Sequence, residues 1–325
     1  MNILFVSSGN ALNGISPLVE NQGKSLIEYG HKVDFFTIQG RGLEGYCNAT
    51  FKLRKYLKGK NYDLINAHYG LSGIIALLAN RGFPLVVSFM GDDLLGSNLK
   101  NGKIRKSSIV LTKVNRFLAS RYYNYSIVKS SRMFDILKIK NAEIIPNGVD
   151  LKHFYPQDKT LCRKELNLPP AEIIIAFVSN PERPEKNYSL AQEAVRCLNR
   201  DNVRLIPVFN KNQDEIHKWL NASDLVVLTS FHEGSPNVIK EAMACNCPVV
   251  STDVGDVRFI FGDTPGCFLG AFTPNDFAET LNKAILFSKN EGKAKGRQRI
   301  VDLGIDSEGI AERITMVYKK VLKIN

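Results

Sequence analysis

A chain of 325 residues is long enough for two domains of about 150 residues, each able to bury a full core without disulfide staples. Its 44% hydrophobic and 23% charged residues exclude disorder, collagen-like repeats and low-complexity polymer. The formal charge of +11 is lopsided, because residues 1–150 carry 20 Lys/Arg against 10 Asp/Glu while residues 151–325 carry 23 against 22.

Strand-like apolar runs alternate with helical stretches from the start. The runs Ile3–Val6, Val33–Ile38, Asp63–Ala67, Leu85–Phe89, Tyr125–Val128 and Ala142–Ile145 predict six strands. Between them, helices are expected near 16–29, 51–57, 71–80, 104–123 and 130–139. Such alternation predicts a parallel sheet covered on both faces, hence a Rossmann-like domain over residues 1–150. The segment 146–156, with two prolines and an Asn-Gly turn, reads as a linker. A second alternation follows, with strands at Ile173–Val178, Val203–Val208, Leu225–Leu228 and Pro248–Ser251 and helices near 187–198, 214–220, 236–244 and 274–287. Residues 151–325 therefore form a second Rossmann-like domain, and a closing helix near 307–322 can return to the first. The α/β fold class is two facing Rossmann-like domains with a cleft at the carboxyl ends of both sheets, where open sheets bind ligands.

No apolar run reaches the roughly 18 residues of a membrane-spanning helix, and Met1 leads directly into a strand, so a cytoplasmic protein is expected. Cys47, Cys162, Cys197, Cys245, Cys247 and Cys267 lack paired zinc-site spacing; reduced thiols and no bound metal are expected. Between Asp93 and Asp135 no acidic residue occurs, whereas Lys100, Lys103, Arg105, Lys106, Lys113, Arg116, Arg121, Lys129 and Arg132 do. A positive face there could meet nucleic acid, an anionic acceptor, an acidic membrane leaflet, or only solvent.

The chemistry concentrates between Thr229 and Asp253. Ser235 suits an N-cap and Pro236 the first helical turn, so the amides of Asn237 and Val238 would offer an anion site backed by the positive helix end. Glu241 follows about 7.5 Å along the helix axis, on the face of Asn237 and Val238, within reach of a ribose beyond a bound phosphate. Glu233, just before the helix, could meet a sugar hydroxyl. This geometry suggests a nucleoside diphosphate sugar.

Glu233 and Glu241, with seven residues between them, resemble the paired glutamates of retaining glycosyltransferases of family 4, which have the GT-B fold. Asn66-Ala-His-Tyr-Gly70, the stretch 145–156 and the loop 181–190 are similar to the same family, over about residues 1–290. The resemblance implies a metal-independent, retaining hexosyl transfer from a nucleoside diphosphate sugar to a glycan or lipid-linked glycan, in bacterial surface polysaccharide synthesis, without a cofactor. It assigns Lys186 to the donor diphosphate, Arg183 to the partner charge, and Gly14 to close approach beside the donor phosphate. Met90 stands where many relatives carry a histidine, which leaves His68, Asp92 and Asp93 as further candidates for sugar or acceptor contacts. A sugar-nucleotide epimerase of the same fold, and more distantly a basic nucleic-acid-binding protein, are the alternatives.

Overall fold

The computed structural model describes residues 1–10, 14–40, 42–96 and 105–324. Two units result: the first takes the described residues up to 148 together with 307–324, the second residues 149–306. In the first, β1 (Asn2–Ser8), β2 (Lys32–Ile38), β3 (Leu64–His68), β4 (Leu85–Ser88), β5 (Tyr125–Val128) and β6 (Ala142–Ile144) form one sheet in the order β2-β1-β3-β4-β5-β6. All of its pairs are parallel. Ile3, Leu4, Phe5 and Val6 are all buried, because helices cover both faces of the strand, which explains the continuous apolar run. The helices are α1 (Pro17–Glu28), α2 (Gly42–Tyr56), α3 (Gly70–Ala79), the single turn α4 (Asp92–Leu95), α5 (Lys106–Arg121) and α6 (Ser131–Leu137). Helix α2 starts well before the expected Phe51. Its first turns contain Gly42 and Gly45, poor helix formers that hide the periodicity, while Ala49 and Leu53 anchor it in the core.

In the second unit β7 (Ile173–Phe177), β8 (Val203–Pro207), β9 (Leu225–Leu228), β10 (Val249–Thr252) and β11 (Cys267–Gly270) form a parallel sheet in the order β11-β10-β9-β7-β8. The edge strand β11 adds to the four expected, and its half-exposed Cys-Phe-Leu-Gly run is too short to stand out as a pattern. The helices are α7 (Lys159–Glu165), α8 (Tyr188–Cys197), α9 (Gln213–Ala222), α10 (Asn237–Ala244), α11 (Val257–Phe261), α12 (Pro274–Asn290) and α13 (Gly296–Asp302). The linker is fixed to this unit rather than loose. Arg297 donates to the carbonyls of Leu151 (2.8 Å) and Phe154 (2.6 Å), and His217 Nε2 lies 2.7 Å from the Tyr155 carbonyl.

The last helix, α14 (Ser307–Leu322), packs on α1 of the first unit. Its Arg313 donates to the Ile144 carbonyl at 2.5 Å, Lys320 to the Tyr125 hydroxyl at 3.0 Å, and Thr315 Oγ1 meets His31 Nε2 at 2.9 Å. Of the basic stretch, Lys100 and Lys103 lie outside the described residues. Lys129 does not belong to a positive face, because it is buried with its ammonium donating to the Ile145 carbonyl at 3.2 Å.

Candidate functional site

Open parallel sheets present their loops at the carboxyl ends of the strands, and in the second unit those loops carry the expected residues. After β7 a 3-10 turn at Pro184–Lys186 leads through Asn187, in the left-handed region at φ 49°, into α8. After β9, Thr229 Oγ1 donates to the carbonyls of Lys186 (3.0 Å) and Asn187 (2.9 Å), tying the two loops together. Across that junction Lys186 Nζ donates to Glu233 Oε1 at 2.6 Å, and Ser230 Oγ donates to the same oxygen at 2.7 Å. Both members of the pair are mostly shielded from solvent. A cation and a hydrogen-bond acceptor thus stand side by side, positioned by the sheet. Arg183 is not part of this pair: half exposed, it binds Glu185 at 2.5 Å. Burial opposes ionisation of Glu185, but its own backbone amide and Arg183 outweigh that and hold the carboxyl below its ordinary range.

Helix α10 begins one residue later than the sequence suggested. Pro236 is the N-cap, with extended backbone at ψ 120°, and Ser235 makes no cap bond. The Ser235 hydroxyl is engaged elsewhere, accepting from the buried Lys240 ammonium at 2.9 Å. Asn237 and Val238 therefore open the helix, and their amides are among the first-turn donors that no intrahelical carbonyl satisfies. One turn on, Glu241 is half-buried; its carbonyl accepts from the Cys245 amide at 3.1 Å, while its carboxyl takes no hydrogen bond from the described residues. Burial raises its pKa to about 7, with Lys240 pulling the other way. Burial also lowers Lys240 to about 8, against the attraction of Asp256 and Glu241.

Sequence reasoning missed Lys240, Asp256 and Gly255. Asp256 hydrogen-bonds Ser235 from the loop after β10, and burial raises its carboxyl above the ordinary range while Lys240 lowers it. Gly255, at φ +61°, lets that loop lie on the Glu233–Gly234 backbone: an added Cβ would fall 2.5 Å from the Gly234 carbonyl oxygen. A lysine among the apolar residues of a short helix is the one signal that could have pointed to this support.

In the first unit the structure separates the candidates. Gly14 has φ +83°, and among the described residues no atom lies within 4 Å of an added Cβ, so they call for glycine through conformation and not through crowding. Asn13 lies outside the described residues. His68 is buried at the end of β3, its ring 4.4 Å from Phe5 and its Nε2 3.0 Å from Asn66 Nδ2; burial and Lys129 lower its pKa to about 3. His68 is thus placed as a neutral histidine in the core. Asp93 is likewise structural: wholly buried, it accepts from the amides of Met90, Gly91 and Gly70, so it folds the loop after β4 and caps α3. Burial raises Asp93 to about 6 despite those amides. Met90 is half-buried and Asp92 exposed in the same loop. Tyr69 holds φ 80° just after β3, an uncommon backbone for a bulky residue. Among the described residues no three His, Cys, Asp or Glu side chains gather as metal ligands.

Residues 172–286 match the family model for glycosyl transferases group 1. The chain is 25% identical over 363 residues to the N-acetyl-alpha-D-glucosaminyl L-malate synthase of Bacillus anthracis, covering 93% of this chain and 92% of that one. Among solved structures it is similar to the sucrose-phosphate synthase of Thermosynechococcus elongatus, with TM-score 0.80 and 19% identity over 99% of this chain and all of that one. It also resembles HepE from Anabaena in complex with UDP and glucose, at TM-score 0.73 and 19% identity over 98% of this chain and 100% of that chain. These neighbours share the GT-B fold.

Proposed function

From the premise that this chain is a GT-B glycosyltransferase with a group 1 domain over residues 172–286, we propose that it transfers a sugar from a nucleoside diphosphate sugar, with retention and without a metal. The observation that carries this reading is α10, whose opening amides at Asn237 and Val238 lie one turn before the unpartnered Glu241 carboxyl on the same face. The positive helix end suits a phosphate, and a half-buried carboxylate suits the two ribose hydroxyls. Lys186 then offsets charge as the diphosphate departs, the moment when a fixed cation lowers the barrier most. Glu233, already holding Lys186, has acceptor capacity left for a sugar hydroxyl. Arg183 can join only by leaving Glu185.

In a retaining front-face transfer the leaving phosphate takes the acceptor proton, so positioning replaces a protein base. That HepE was solved with UDP and glucose supports a nucleotide-sugar donor. The acceptor is a glycan or lipid-linked glycan of the kind built into bacterial surface polysaccharide, and the transfer takes place on the cytoplasmic side of the membrane. Calorimetry with UDP, GDP, ADP and CDP, followed by NMR assignment of the product anomer, tests both halves: one nucleotide binds and the anomeric configuration is kept. Inversion would overturn the proposed mechanism.

A further inference from the structure

Helix α5 has its apolar side outward. At about 100° per residue, Ile109, Val110, Val114 and Phe117 fall in one arc of about 140°, and all four are exposed, Val110 at 62% and Phe117 at 56%. Directly opposite stand Ser108, Asn115 and Ala119, the residues that the helix buries. Leu118, on the flank of that inward side, packs on the core, but the centre of the side is polar for a definite reason: Asn115 Nδ2 donates to the Asp93 carbonyl at 2.9 Å and fits beside Gly70, where an added Cβ would lie 2.2 Å away. A surface helix ordinarily shows the reverse pattern.

Basic groups share the outward side. Lys106, Lys113 and Arg121 fall within the apolar arc and Arg116 at its edge, all exposed, and no acidic residue occurs between Asp93 and Asp135. At the helix end exposed Tyr122 packs edge-on to Phe117, ring centroids 6.0 Å apart, adding an amphipathic ring to the same surface. Apolar residues of this size, ringed by one sign of charge, mark an interaction site.

We propose that this face of α5 docks on an anionic lipid surface, with Ile109, Val110, Val114 and Phe117 entering the headgroup boundary and Lys106, Lys113, Arg116 and Arg121 reaching lipid phosphates. The charge picks the occupant: a protein partner would have to supply both an apolar groove and an acidic rim, whereas an anionic leaflet offers both everywhere. Long basic side chains lay their stems along apolar surface and keep their heads at the interface, which suits the interleaved spacing. Among the described residues no helix is long and apolar enough to cross a membrane, so the attachment is to one leaflet. The inference does not depend on the donor chemistry.

Flotation of the full chain with phosphatidylglycerol–phosphatidylcholine vesicles, against phosphatidylcholine alone, tests it. Binding is expected only with the anionic lipid, and it fades as salt shortens the screening length below about 8 Å. Each of Lys106, Lys113 and Arg116 changed to Gln weakens partition about fivefold, the equivalent of ~1 kcal/mol per charge. Val110→Ser with Phe117→Ser weakens it at least about tenfold with all charges retained. The far-UV circular dichroism and Tm of the same variants remain those of the parent, which shows that they are folded whether or not a nucleotide binds. No flotation with anionic vesicles at low salt overturns the proposal. Unchanged flotation of the Val110/Phe117 variant overturns insertion, and a lipid-independent dimer abolished by Phe117→Ser in sedimentation assigns the face to a second copy instead.

Discussion

Glu241 should cost the fold stability and repay it in binding. Burial lifts its carboxyl from the ordinary 4.5 to about 7, so the native state holds this proton more tightly than the unfolded chain does. The sign follows by linkage: stability is lost as pH rises from about 4.5 to 7, and above that range the charge costs up to ~3 kcal/mol. Glu241→Gln keeps size and an acceptor oxygen, removes the charge, and should raise Tm at pH 8 while leaving it nearly unchanged at pH 4.5. Its affinity for nucleotide should fall, because a hydrogen bond to a charged acceptor contributes about 1.5–3 kcal/mol, of which neutral Gln keeps about half. For the parent, affinity for a nucleoside diphosphate sugar should improve about tenfold between pH 6 and pH 8 as the carboxyl ionises. The sugar-bearing diphosphate is the right probe, since its phosphates do not titrate in that range. Calorimetry at three pH values on both proteins gives the answer. Parent binding that ignores pH and equals that of Glu241→Gln would refute the ribose role.

Lys186→Ala should lower kcat more than it raises the donor KM, because the ammonium acts mainly while the diphosphate leaves; steady-state kinetics showing a KM effect alone would contradict this. EDTA should leave turnover intact, and loss restored by manganese would show that a metal takes part. Lys240→Met should destabilise the chain by ~3 kcal/mol in urea, since it leaves the buried Asp256 carboxylate without its neighbouring cation. The double variant Lys240→Met/Asp256→Asn should regain much of that loss.

The parts of the fold legible in sequence are those buried on both sides. Ile3–Val6 and Ile173–Phe177 are apolar at every position because helices cover each face of their sheets. β11 escaped because an edge strand four residues long needs no such run. The site was legible where backbone chemistry leaves a sequence trace, in Ser-Pro-Asn before an apolar helix and in two glutamates at fixed spacing. It failed where a polar group serves the interior. His68 and Asp93 sit at strand ends that read as a ligand edge, yet burial and backbone amides hold them inside. Lys129 has the sequence signature of a surface charge, yet its ammonium is buried on the Ile145 carbonyl. The outward apolar side of α5 was hidden for the same reason: periodicity alone does not say that Asn115 is the residue facing in.

The most direct test of the central claim is a thermal-shift titration of the parent and of Glu241→Ala with UDP, GDP, ADP and CDP. A ligand that binds only the native state stabilises by mass action, about 2.7 kcal/mol at a hundredfold excess over Kd. One nucleoside diphosphate should raise Tm of the parent in a dose-dependent way, and Glu241→Ala should need at least tenfold more of it for the same shift. If none of the four moves the parent, or if the variant responds as the parent does, α10 is not the donor site.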